Sequence, residues 1–434
     1  IAGGADETAA TNTAEVIVEP DMLGIQTHGL ECLGGYIRAM REGRLDAAAK
    51  PEIVKESPDY ALVDGHNSLG HATAVYAMDL AIQKAEQSGV GVVVVRHGAH
   101  YGFAGYYPLM AIKEKMMGFT TSNTTPCMVP TGALQVMIGS NPISAGFPAD
   151  PYPFLLDIST CAVAGGKIDL YAKLGKDLDP SWTLGKDGKP GVDGDKVLSD
   201  MHDGWGGIQP MGGHKGYGFG LLMEILTGVI AGGKNSDQLK GGQPEGDQFS
   251  HMFFAMDYGV FGDREEIERS LSDYLQRIRD AKRLDPNVSI ITPGEREFIN
   301  RAEREENGIL LLESTRDRLA ELAAAAGILV EAHAAAKIGG VFLFKRACER
   351  GIEARGYIAG QHTAVGKRLL DAEFIRGQRP AKKQRLAGVG VYKIQQRFQR
   401  CCFSSAVAAD EARDGTGRNV KGNVPQCKRA VPLA

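Results

Sequence analysis

The chain has 434 residues, 43% of them hydrophobic and 24% charged, with a net charge of −4 at pH 7. That is the composition of a soluble globular protein with more apolar material than one ordinary domain needs. No apolar run approaches the roughly 20 residues of a membrane-spanning helix, which argues against a membrane protein.

The chain begins at Ile1 with no basic segment leading into an apolar one. No signal peptide is read there, and a fragment or a trimmed start is expected. Seven cysteines in this length do not make a disulfide framework, so a reducing, cytoplasmic setting is expected. Residues 5–20 predict a helix, and Asp21 to Tyr36 a turn-rich stretch. Tyr36 to Arg44 predicts a second helix, and Ala61 to Asp64 a short strand. In Ala72 to Ser88, Ala74, Ala77, Met78, Ala81, Ile82 and Ala85 recur at helical spacing, with Gly89 as the stop. Gly91 to Arg96 is a buried, β-branched strand, followed by a loop holding His97 and His100. Tyr106 to Lys115 (helix) and Gly118 to Ser122 (strand) continue an alternation that predicts a mixed α/β architecture.

Phe154 to Ile158 predicts a further strand, and the Gly-rich stretch from Trp182 to Asp195 a turn or hairpin. Helices are expected over Tyr217 to Ala231, Asp263 to Arg283, Glu295 to Glu306 and Ser314 to Ala326, the last with Ser314 as N-cap and Gly327 as stop. Residues 329–434 carry 20 basic and 8 acidic residues, leaving 29 basic and 45 acidic in the rest. The acidic body argues against a nucleic-acid partner. The poorly patterned basic extension reads as disordered or spurious.

No strand-linked G-x-G-x-x-G with a following acidic residue is present, so a dinucleotide, if bound, is not held by the usual Rossmann turn. His28, His100 and His214 sit in Gly-rich polar loops. Imidazole is suited to exchanging a proton near neutral pH, although a loop histidine is more often structural. His97-x-x-His100 could be a metal pair, but no third ligand follows at metal-site spacing, and no metal is expected. Gly139-Ser140-Asn141-Pro142, Asp157-Ile158-Ser159-Thr160 and Gly212-Gly213-His214-Lys215-Gly216 offer hydroxyls, N–H groups and a lysine suited to anions.

Taken in order, these motifs resemble the type-2 malate/L-lactate dehydrogenase family, over roughly residues 5–328. The likeness rests on Asp21-x-x-Gly24-x-x-Thr27-His28-Gly29 with Tyr36, Asp64-Gly65 with Leu69-Gly70, and Arg96-x-x-x-His100-Tyr101-Gly102-x-x-Gly105. It continues through Asn123, Ser140-Asn141-Pro142, Asp157 to Thr160 with Gly166-Lys167, Pro210 to Gly216, and Pro293-Gly294-Glu295. The resemblance implies a non-Rossmann nicotinamide-binding fold, a homodimer, NAD or NADP as cofactor, and hydride transfer at C2 of a small 2-hydroxy or 2-oxo acid. A helical part would combine 1–71 with 264–328, and a sheet-based cofactor part would span 72–263.

It also implies roles. His100 would be catalytic, aided by His28 and Thr27, with Asp157 as orienting group. Tyr101, Gly102, Phe103, Ala104, Ile158, Ser159, Thr160, His214, Lys215, Thr292, Gly294 and Glu295 would contact the cofactor. Ser140 and Cys32 would stand at the substrate. Cys32 departs from the family, which often carries a carboxylate-binding arginine there. Arg38 or Arg96 would have to replace it, or the substrate differs. The rival readings are a cofactor-binding protein with an impaired site and, less favoured, a metal-dependent hydrolase.

Overall fold

In the computed structural model, residues 1–326 are described, except 2, 242, 244 and 245. The basic extension at 329–434 and the helix stop at Gly327 lie outside the described residues. Among the described residues, 1–282 and 289–326 belong to one compact unit. Residues 283–288 group separately, as a turn in which Asp285 accepts the Asn287 N–H at 2.9 Å.

The chain opens with α1 (Glu7–Leu23), α2 (Leu33–Arg41), β1 (Glu52–Glu56), β2 (Tyr60–Asp64), α3 (Gly70–Ser88), β3 (Val90–Gly98), α4 (Tyr106–Lys113) and β4 (Met117–Ser122). Then follow β5 (Ile143–Phe147), β6 (Phe154–Ile158), α5 (Gly165–Lys173), β7 (Thr183–Leu184), α6 (Gly194–His202) and β8 (Gly207–Ile208). The described part closes with α7 (His214–Glu224), β9 (Phe249–Met256), α8 (Arg264–Arg279), α9 (Glu295–Asn307) and α10 (Glu313–Ala325).

The main sheet runs β1-β2-β3-β9-β4-β5-β6. Only β2 and β3 run parallel; every other adjacent pair is antiparallel. This mixed α/β sheet is not the doubly wound parallel sheet of a Rossmann domain. Its core lies between α3 and α4 and the central strands, where Ala74, Ala77, Met78, Val93, Val95, Tyr107 and Phe253 are buried. Met78, Val93, Val95 and Phe253 each contribute about 1.5–3 kcal/mol by removal from water, and the alanine methyls less.

Several elements differ from the sequence reading. α1 runs past Pro20 to Leu23, because Val16, Ile17, Met22 and Leu23 are fully buried and hold its last turns in place. The stretch after it is two short 3-10 turns, 26–28 and 30–32, leading directly into α2. β1, β5, β9, α5 and α6 were not read. β9 carries buried residues on both faces, so it lacks the period of two that marks a half-buried strand. The helix expected from Tyr217 starts at His214 and passes into a π-helical turn at 225–229. Ser314 lies inside α10; Leu312 occupies the N-cap, and no side chain caps it.

Candidate active site

His28 lies in the 3-10 turn after α1, and His100 in the loop after β3. Their rings are near parallel, with centroids 6.1 Å apart. Thr27 Oγ1 stands 3.1 Å from Nδ1 of His28. Nδ1 of His100 lies 2.7 Å from the Tyr36 hydroxyl and 3.3 Å from the Gly102 N–H. An amide N–H can only donate, so Nδ1 of neutral His100 accepts and the ring proton is assigned to Nε2. Tyr36 stands on α2 and packs edge-on against the buried His71 at 4.5 Å. Helix, turn and loop are thereby tied to one imidazole.

Burial lowers the pKa of His28. The pKa of His100 falls to about 4, first through burial and then through the charge of His28. The two imidazoles therefore titrate as one coupled pair. Behind it, His71 and His251 are held neutral by burial, each with a pKa of about 3. His251 stacks on Tyr101 at 4.6 Å.

Asp157, on β6, accepts the Gly105 N–H at 3.2 Å; among the described residues no hydrogen bond links it to either site histidine. Burial pushes its pKa up to about 7. The carboxylate that does touch the His100 loop is Asp247, which accepts the His100 N–H at 3.4 Å and is itself raised by burial. Sequence reasoning missed Asp247, which lies 147 residues from His100 in an irregular loop with no motif around it. Tyr36 appeared in a motif but received no role.

Cys32 donates its thiol to the Thr27 carbonyl at 3.2 Å. Burial, then Glu31 and Asp21, push its pKa up to about 11, so it is a neutral thiol. Neither proposed replacement cation stands beside the histidines. Arg38 lines a cavity of about 430 Å³ with Arg41 and Arg318, and Arg96 donates to Asp64 at 3.1 Å. His97 also donates to Asp64, at 2.9 Å, so His97 and His100 have different partners and do not act as a pair. Among the described residues no group of three His, Cys, Asp or Glu side chains could hold a metal ion.

The expected cofactor segments form a connected series. Tyr101, Phe103 and Ala104 bury their side chains, so that stretch can offer a ligand chiefly backbone. The Ser140 carbonyl accepts the Thr160 N–H at 3.0 Å, the Thr160 hydroxyl at 3.0 Å and the Ser159 hydroxyl at 3.1 Å. Gly216, in the first turn of α7, packs against Thr160 and Met211. Just before it, Gly212 (φ 62°) and Gly213 (φ 66°) take left-handed conformations with open space at their Cα hydrogens. His214 and Lys215 are exposed, and no side chain caps α7. Thr292 and Glu295 are buried, with the Glu295 carboxylate taken by Arg279 (2.9 Å) and the Thr292 N–H (3.1 Å). Gly294 (φ 91°) presses against Leu155 of β6.

The sheet and the paired histidines mark a class of enzymes outside the Rossmann dehydrogenases. The sequence model described as malate/L-lactate dehydrogenase matches residues 1–320, and the chain belongs to that family of oxidoreductases. The malate dehydrogenase of Pyrococcus horikoshii is 32% identical over 332 residues, covering 75% of this chain and 91% of that protein. The L-sulfolactate dehydrogenase of Methanocaldococcus jannaschii is 35% identical over 334 residues, covering 76% and 93%. The crystal structure of malate dehydrogenase from Entamoeba histolytica superposes with a TM-score of 0.74 at 28% identity, covering 76% of this chain and 94% of that one. Among the described residues no helix is long and apolar enough to cross a membrane.

Proposed function

We propose that this protein is a nicotinamide-dependent reductase and dehydrogenase of small 2-oxo and 2-hydroxy acids, working as a homodimer in a reducing, cytoplasmic compartment. The observation that carries this reading is the His28–His100 couple, two imidazoles with one proton to share, framed by Thr27, Tyr36 and Asp247. The residues present fit a dinucleotide: an uncapped helix N-terminus with Gly212, Gly213 and Lys215 suits a phosphate, and the 101–105 backbone and 158–160 lie along the same connected series. The cofactor, NAD or NADP, supplies or accepts hydride at the substrate carbon.

The chain's own residues handle the proton. In reduction, His28 gives its proton to the developing alkoxide, and Thr27 fixes the ring by its contact at Nδ1. Tyr36 and Gly102 hold His100 with Nε2–H outward, a neutral donor to the same oxygen. Asp157 does not orient either ring; it fixes the Gly105 turn. With Cys32 neutral, the substrate carboxylate falls to backbone N–H groups and to the opening of α5, where Gly166 packs against Thr27 and Lys167 follows. The division into a helical part (1–71 with 264–328) and a cofactor part (72–263) is kept in this reading. The homodimer is supported by α7 and its π-helical continuation, which expose Phe219, Leu221, Leu222, Ile225, Val229 and Ile230.

Turnover of NADH and NADPH with a panel of 2-oxo acids and cyclic imino acids tests the activity. His28→Asn and His100→Asn should each lower kcat by roughly 10²-fold or more, the usual scale for losing a general acid. The alkaline fall in kcat/KM for reduction should persist in His100→Asn and vanish in His28→Asn. Near-normal turnover in both variants would sink the mechanism. Dinucleotide binding without turnover of any acid would favour the impaired-site reading, to which the neutral Cys32 gives substance.

A further inference from the structure

Two cysteines from distant loops touch beside the proposed cofactor segment. Sγ of Cys127 and Sγ of Cys161 lie 4.0 Å apart, in a cluster with Met128, Ile138 and Ile208. Both are bound to the same short stretch, 207–211. The Cys127 carbonyl accepts the Ile208 N–H at 2.9 Å, Cys161 bridges to Pro210, and the Met211 N–H reaches the Thr160 carbonyl at 3.0 Å. The Cys161 N–H donates to the Ser159 hydroxyl at 3.0 Å. Neither thiol has a part in the hydride chemistry.

We propose that Cys127 and Cys161 are a reversible dithiol–disulfide site, oxidised by small hydroperoxides, that switches cofactor affinity. The effect on affinity rests on the reading of 158–160 and 212–215 as cofactor contacts. Either sulfur can donate to the other, so the pair holds one proton between them once the first thiolate forms; the Ser159 side chain beside Cys161 favours the thiolate there, and Cys161 is the attacking sulfur. Cys127 is partly exposed and gives access to the pair.

The Cys161 thiolate attacks one peroxide oxygen; the O–O bond breaks, and the departing hydroxide leaves as water with the proton Cys161 gave up. Cys127 then attacks the sulfenic sulfur, forming the S–S bond and expelling hydroxide, which takes the Cys127 proton as a second water. Two thiols lose two electrons and two protons, and hydrogen peroxide becomes two waters (an alkyl hydroperoxide gives one alcohol and one water). Closing the sulfurs from 4.0 Å to a bonded separation of about 2 Å fixes both side chains in one geometry and couples the two loops that carry them. The strain falls on Ser159, Thr160 and the strand that leads to Gly212.

The test is peroxide titration of the full-length, dithiothreitol-reduced protein, read by peptide mass mapping and by NADH and NADPH fluorescence titration. A Cys127–Cys161 linked peptide is expected, together with a fivefold or greater rise in dinucleotide Kd, both reversed by dithiothreitol. Cys127→Ser should bind dinucleotide like the parent and lose the peroxide response. No linked peptide at doses that oxidise other cysteines of the chain, or a linked peptide with unchanged Kd, would overturn the switch. Linkage is read by mass without any cofactor, so a reduced protein that binds neither dinucleotide overturns the cofactor reading instead.

Discussion

Asp157 shows how one side chain can oppose the stability of its own fold. Its carboxyl has a pKa near 7 in the folded chain, against an ordinary value of 3.8, because burial disfavours the charge more than the Gly105 N–H supports it. Between those pH values the folded chain keeps a proton that the unfolded chain has lost. The group's stabilising contribution is therefore complete below pH 3.8 and is lost as pH rises through 7. Asparagine keeps the acceptor oxygen for Gly105 and does not titrate. Asp157→Asn should thus gain on the parent in thermal stability as pH rises from 4.5 to 8, by on the order of a few kcal/mol. Thermal melts of both proteins across that range check this; parallel curves would show that Asp157 is not desolvated. The same residue marks a limit of the sequence. Asp157 and His100 both stand in recognisable motifs, but a motif does not say which neighbour a side chain faces. The geometry turns Asp157 to the Gly105 turn and brings Asp247, from a loop with no pattern, to His100.

Elements show the same division between what was legible and what was not. α3 and β3 were read to within two residues, because alanine spacing and a β-branched run are strong local signals. β9 was invisible, since its first residues are buried on both faces and carry no alternation; β5 does alternate in burial, but its buried positions are Ser144 and Gly146, so its apolar residues fall on the wrong face for a hydrophobic signal, and α5 and α6 are short and mixed in composition. How α3 meets the His100 loop was not legible either. Gly70 opens α3, and a Cβ there would overlap the carbonyl oxygens of Ala99 and His100. Those are backbone atoms, which cannot swing aside. Gly70→Ala should therefore displace the His100 loop, lowering kcat/KM at least tenfold while costing about 1–3 kcal/mol of stability. Unchanged kinetics in a folded Gly70→Ala protein would show that the contact is soft.

For the whole molecule, the proposed function has α7 join assembly to chemistry: its first turn carries His214 and Lys215, and its later turns present the exposed apolar stripe. Leu222→Glu with Val229→Glu should halve the solution mass measured by light scattering and weaken dinucleotide binding, whereas a dimer of unchanged mass would place the interface elsewhere. The sheet order has a consequence for biosynthesis. Among the described residues β9 is the last strand of the sheet in sequence, yet it lies at the centre, between β3 and β4. A nascent chain can pair β1, β2 and β3 on one side and β4, β5 and β6 on the other, but the two halves share no strand until residues 249–256 leave the ribosome. Until then β3 and β4 are open edges, lined with valine and threonine, which template aggregation. A chain released at residue 248 should be insoluble, and one carried past β9 to the end of α10 should not, as fractionation of ribosome-released lengths would show. The central strand thus acts as a late checkpoint, leaving the synthesis of the stretch between β4 and β9, residues 123–248, as a window in which chaperone binding decides the yield.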